Sequence, residues 1–188
     1  MQRKLKCIKY MGRNTVLVTD ERVLDFVATA ADFCVYLESM ELPLKEEFMD
    51  KMLMCLPILY TKVKPLPKLS PVYDGDVERF VTEMEYSAIQ HKVSSVFGSD
   101  DAYLEVFVED MRYSDEPITA FISENIADIY QELCDMLGNW QIDDDGVKND
   151  ALIVCIEAFE QHWGQTLLNV LRPMHVLSMM KDTNPYEL

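Results

Sequence analysis

The sequence predicts an all-α fold, a single-domain helical bundle of about six or seven helices over residues 19–188, preceded by a basic extension over residues 1–18 that can lie as a short extended arm. Three observations predict it. Long segments carry apolar residues at three- and four-residue steps, which lays them along one side of a helix. Those segments begin and end on residues that cap helices. At 188 residues the chain has the size of one domain built on one core.

Taken in order, residues 1–18 are basic and end in Thr15-Val16-Leu17-Val18. They read as a short strand, as an arm laid on the body, or as an extension upstream of a start at Met11. Thr19 or Asp20 caps a first helix to about Met40, with Val23, Phe26, Val27, Ala30, Cys34 and Leu37 on its buried side. Leu42-Pro43 ends it. A second helix, Lys45 to Val63, buries Phe48, Met52, Leu53, Leu56, Leu59 and Tyr60. Because proline removes a backbone donor and clashes with the preceding turn, Pro57 predicts a kink near Leu53 or a break there.

Lys64 to Asp76 holds three prolines and a glycine and is the main irregular connection, a lid or linker. Thr82 to Glu85 is a capping box, with Val81 and Tyr86 as its hydrophobic staple, and Tyr86, Ile89, Val93 and Val96 continue a third helix to Phe97-Gly98. Asp100 or Asp101 caps a short helix through Met111, although the alternation in YLEVFVED also permits a strand. Over Tyr113 to Gly138, Ser114 or Asp115 caps, Pro117 suits the first turn and Gly138-Asn139 stops the helix. Its apolar side is Ile118, Ile122, Ile126, Ile129, Leu133, Met136 and Leu137. Asn149 or Asp150 caps the last long helix, which carries Leu152, Ile156, Phe159, Trp163, Leu167 and Val170. Pro173 bends or ends it, and the tail from Asp182 frays.

Charge narrows the function classes. The net charge is −16, and the first 19 residues hold five Lys or Arg and no acid, which leaves the body more acidic still. Such a surface repels phosphate backbones, so nucleic acid is excluded as a partner unless the protein imitates it in another protein's basic groove. Apolar runs fall short of the roughly 20 residues that cross a bilayer, so no membrane is expected. The five scattered cysteines fit reduced core thiols in a cytoplasm. No phosphate-binding glycine loop, GxSxG, HExxH, CxxC or paired ExxH motif is present, so no cofactor is expected. The run Asp143-Asp144-Asp145-Gly146 is no EF-hand, because alignment on Gly146 puts Gln141 first and Leu152 where the bidentate Glu belongs.

One constellation remains. At roughly 100° per residue, Gln165, Asn169 and Arg172 follow His162 along a strip bordering the buried face of the last helix. Asn125, Asp128 and Glu132 lie to one side of the isoleucine face of the helix before it. If the two helices pack antiparallel, Asn125, Asp128, Glu132, His162, Asn169 and Arg172 form one polar seam. An interhelical network that fixes register explains such a seam more simply than a catalytic site does.

Those same residues carry a resemblance. Asn125 to Leu133 (NIADIYQEL) and Gln161 to His175 (QHWGQTLLNVLRPMH), supported by Tyr103 to Phe107 (YLEVF), resemble a bacterial family catalogued as domain of unknown function 5063. Ile126 stands where that family has leucine, and Pro173 departs from its pattern. The resemblance implies an α-helical domain with Asp128, Tyr130, His162, Trp163, Gly164, Arg172 and His175 as motif positions, and it transfers no reaction. Three functions follow as expectations. The first is an interaction or adaptor module with a protein partner or self-association. The second is a small-molecule-binding or hydrolytic domain using Asp128, Glu132, His162 and Arg172. The third is an acidic nucleic-acid mimic.

Overall fold

The computed structural model describes residues 18–105 and 118–180. The expected N-terminal arm, the expected caps Ser114 and Asp115 with Pro117, and the tail therefore lie outside the described residues. Helix α1 (Glu21–Ser39) starts on Asp20, whose carboxylate accepts the Arg22 N–H at 2.9 Å. Helix α2 (Lys45–Val63) has the predicted bounds and runs through Pro57 without a break. Helix α3 (Glu83–Phe97) opens on the predicted capping box: the Glu85 N–H donates to Thr82 Oγ1 at 3.3 Å, and the Thr82 N–H donates to Glu85 Oε2 at 2.8 Å. It closes on Gly98, whose φ of 58° is left-handed backbone that a side chain would strain.

The segment after Gly98 departs from the expectation. A 3₁₀ turn over Gly98–Asp101 leads into strand β1 (Ala102–Glu105), which pairs antiparallel with β2 (Ile118–Phe121), Ala102 facing Phe121 and Glu105 facing Ile118. The alternating pattern of YLEVFVED was therefore the informative one for residues 102–105. Asp101 does cap a helix, but a remote one. Its buried carboxylate accepts the Ser123 N–H at 2.8 Å and the Ser123 hydroxyl at 2.7 Å.

Helix α4 (Ile122–Trp140) consequently begins at Ile122, not near Ser114, and Ile118 belongs to β2. Nor does Gly138-Asn139 stop it. A Cβ on Gly138 would sit 2.4 Å from the Phe80 ring, so this glycine serves a close approach inside the helix. Asn139 is buried and donates its amide to the Glu78 carbonyl at 2.8 Å.

Helix α5 (Asp145–Ala158) is capped by Asp144, which accepts from Gly146 and Val147, and Asn149 and Asp150 lie buried inside it. A π turn over Phe159–Trp163 joins α5 to α6 (Gly164–Met179), so the two form one continuous rod. Pro173 sits within α6 and does not end it. The described residues thus form five rods rather than six or seven helices, plus the small ribbon, and the all-α class holds.

Helix α4 is the hub, packed against α1, α3, α5 and α6. Its Ile122, Ile126, Ile129 and Leu133 are wholly buried, each contributing roughly 1.5–3 kcal/mol by removal from water. Among the described residues no helix is long and apolar enough to cross a membrane.

Candidate functional site

The polar residues of α4 and α5 are fastened mainly to the connection between α2 and α3, residues 64–82. This connection is a strap tied down at two places. Near its middle, the Val72 and Tyr73 N–H groups donate to the two oxygens of Asp150, each at 2.8 Å, and the Asn149 amide donates to the Ser70 carbonyl at 2.9 Å. Near its end, the Phe80 and Val81 N–H groups donate to Asp135 Oδ1 at 2.6 and 2.8 Å, and Arg79 reaches both Asp135 and Glu132. Each tie pairs a carboxylate taking two consecutive backbone donors with an asparagine amide holding a carbonyl. Backbone that runs over a surface without a ladder needs such partners, and charged acceptors make the stronger bonds.

The rest of the α4 strip is partnered as well. The Tyr86 hydroxyl of α3 donates to Asp128 at 2.8 Å. Burial first, and then this carboxylate, hold the Tyr86 phenol above its ordinary range. Asn125 donates to the Tyr103 hydroxyl of β1, whose phenol burial pushes up to about 12.

On the rod, the π turn explains part of the HWG segment. Trp163 is wholly buried, donates its indole N–H to the Cys155 carbonyl at 3.0 Å, and packs edge-on against Phe159 with centroids 4.7 Å apart. Gly164 follows because a Cβ there would stand 2.5 Å from the Phe159 carbonyl oxygen. The widened turn brings that carbonyl over the glycine. His162, between them, faces solvent.

An open groove of about 890 Å³ lies between α6 and β1. Leu104, Leu168 and Val176 line it while 60, 46 and 46 % exposed, joined by Pro173 and Leu177. Its polar residues include Tyr103, Gln165, Asn169, Arg172 and Asp100. Most of these are engaged: Asp100 accepts Lys45 at 2.7 Å, Gln165 donates to Asn169 at 2.7 Å, and Asn169 donates to Glu105. Arg172, exposed, has no acid or hydrogen-bond partner among the described residues.

The six seam residues are therefore distributed. Asn169 and Arg172 line the groove, and Asn125 reaches it only through Tyr103. Asp128 turns to α3 and Glu132 to the strap. His162 would extend the row 165–169–172–176 backward by one step, yet it lies in the π turn and outside the groove. Sequence reasoning missed the apolar wall, Leu104, Leu168 and Val176. An available signal was that Leu168 and Val176 fall off the stripe of Trp163, Leu167 and Val170.

Among curated proteins none matches the chain. It is similar in fold to the crystal structure of protein BF1032 from Bacteroides fragilis, with a TM-score of 0.77 and 32% identity, over 89% of this chain and 98% of that one. The hub helix, the strap it anchors and the rod with its π turn all fall within residues 18–180, over which the chain matches the model of domain of unknown function DUF5063, and the protein belongs to that family.

Proposed function

We propose that the domain is a protein-interaction module that docks an apolar, carboxylate-bearing segment of a partner protein in the groove between β1 and α6. The observation that carries this reading is the juxtaposition of exposed Leu104, Leu168 and Val176 with the guanidinium of Arg172, which pairs with no acid among the described residues. Contiguous exposed apolar surface beside convergent polar groups is what docking grooves present. Arginine favours a carboxylate because its planar fork matches both oxygens. The charge of −16 repels strongly acidic partners at long range, so the segment carries one carboxylate among apolar, neutral or basic residues. A display library of random peptides tests it. The expected enrichment is for apolar sequences with one acid or a free C-terminus, bound about tenfold more weakly by Arg172→Ala and not measurably by Leu168→Asp. No enrichment, or peptides indifferent to both substitutions, overturns the reading.

A second reading, a small amphipathic carboxylate, is favoured by the size of the groove, since about 890 Å³ falls within the roughly 300–1,000 Å³ of small-molecule sites. It keeps Arg172 and omits Asp128, Glu132 and His162, which lie elsewhere. Native mass spectrometry with decanoate tests it: one-to-one complexes that Arg172→Ala abolishes support it, and their absence removes it.

A further inference from the structure

Away from that groove, α1 and α4 face each other through two short rows. Cys34 and Glu38 are one turn apart on α1, and Tyr130 and Cys134 are one turn apart on α4. The rows interlock at one carboxylate: the Tyr130 hydroxyl donates to Glu38 Oε1 at 3.0 Å, and Cys134 Sγ donates to the same oxygen at 3.6 Å. The Cys34 and Cys134 side chains sit on these facing rows and line the same groove, a second one of about 550 Å³ walled by Val27, Phe80 and Trp140. Cys134 is half-buried and Cys34 buried behind it.

We propose that Cys34 and Cys134 form a dithiol site that a low-molecular-weight disulfide, of which oxidised glutathione is the type, converts to an internal disulfide. Cys134 is the entry point because it is the more exposed of the two and donates toward Glu38. Its thiolate attacks one glutathione sulfur, forming a mixed disulfide and releasing the first glutathione thiolate. Cys34 then loses its proton, attacks the Cys134 sulfur and expels the second glutathione. Two protons and two electrons pass from the cysteines to two glutathione thiols. Cys34 is the more buried of the two, and the neighbouring Cys134 and then burial raise its thiol above the ordinary range, so it acts second. Cys155 is a neighbour in charge but is wholly buried and outside the groove, and Cys55 lies on α2. The new bond ties α1 to the hub across a loop of about 100 residues, which raises Tm by restricting the unfolded chain.

The test incubates the full chain with oxidised glutathione and reads intact mass and a non-reducing peptide map. The wild type is expected to lose the mass of two hydrogens, to retain no glutathione, and to yield a peptide joining Cys34 to Cys134 that dithiothreitol releases. Cys34→Ser is expected to trap one glutathione on Cys134, and Cys134→Ser to leave Cys34 unmodified. Retention of glutathione on Cys134 in the wild type, a bond between any other pair, or no modification at all overturns the proposal. The wild-type map decides the matter even if a serine variant fails to fold.

Discussion

On α4, Asn125, Asp128, Glu132, Asp135 and Asn139 each meet a group from another element, namely Tyr103, Tyr86, Arg79, the Phe80 and Val81 amides, and the Glu78 carbonyl. On α6, Asn169 meets Glu105, while the side chains of Arg172 and His175 stand exposed with no partner among the described residues. Both helices carry a polar strip beside a buried face, so periodicity alone makes them look alike. They differ in what covers the strip. The strap and α3 lie over that of α4, where a lost partner leaves a desolvated group behind. Nothing described covers that of α6, where a polar group exchanges its contacts with water at little net change. Of the two polar strips, that of α4 holds the fold together and that of α6 is free to meet a ligand.

The largest effects should come from breaking the ties on α4 and its neighbour. Asp135→Ala strands two backbone donors and leaves Arg79 with Glu132 alone, at a loss of about 2–3 kcal/mol in urea unfolding. Hydrogen exchange should show Phe80 and Val81 losing protection while the centre of α2 keeps it. Asp150→Ala should do the same for Val72 and Tyr73. A loss below about 0.5 kcal/mol would show that the strap is held by something other than these carboxylates.

Two of the packed glycines come next, one on each side of the comparison. An alanine gains up to about 1 kcal/mol of helix propensity over glycine, and overlap works against that gain. At Gly164 the obstacle is the Phe159 carbonyl, a backbone atom of the π turn, whereas at Gly138 it is the Phe80 ring, a side chain that can shift. Gly164→Ala is therefore expected to lower stability by about 2 kcal/mol and Gly138→Ala by about 1 kcal/mol, ranked by their thermal midpoints. The reverse order would mean that the π turn can relax to an α turn. Tyr86→Phe is expected to cost about 1 kcal/mol by removing the donor to Asp128.

These positions also show how far the sequence could be read. The starts of α1 and α3 were legible because their caps are local: Asp20 and the Thr82–Glu85 box lie within three residues of the N–H groups they satisfy. The start of α4 was not, because its cap comes from Asp101, 22 residues earlier, while Ile118 continues the three- and four-residue spacing into a strand. Gly138, Asn139, Asn149 and Asp150 carry the composition of helix ends yet lie inside helices, since their partners belong to the distant strap. Local rules describe what a residue can do and are silent on what arrives from elsewhere in the chain. At the site, Asn169 and Arg172 were found because a polar residue at the edge of an apolar stripe is visible. His162 was grouped with them by counting a uniform helix, and a widened turn shifts the phase by about one residue, or roughly 100°.

The smallest stability effect carries the most information about function. Arg172→Ala should leave unfolding within about 0.5 kcal/mol of the wild type, because the side chain is exposed and holds no described partner. The same near-silence is expected of His162→Ala, so stability cannot separate them. Binding can. If the groove is the docking site, Arg172→Ala weakens a selected peptide about tenfold while His162→Ala leaves it unchanged, since only Arg172 lines the groove. Equal losses from both would place His162 within reach of the ligand and restore it to one site with Arg172. A large stability loss from Arg172→Ala would instead show that α6 is tied down as α4 is, and the contrast between the two helices would fail.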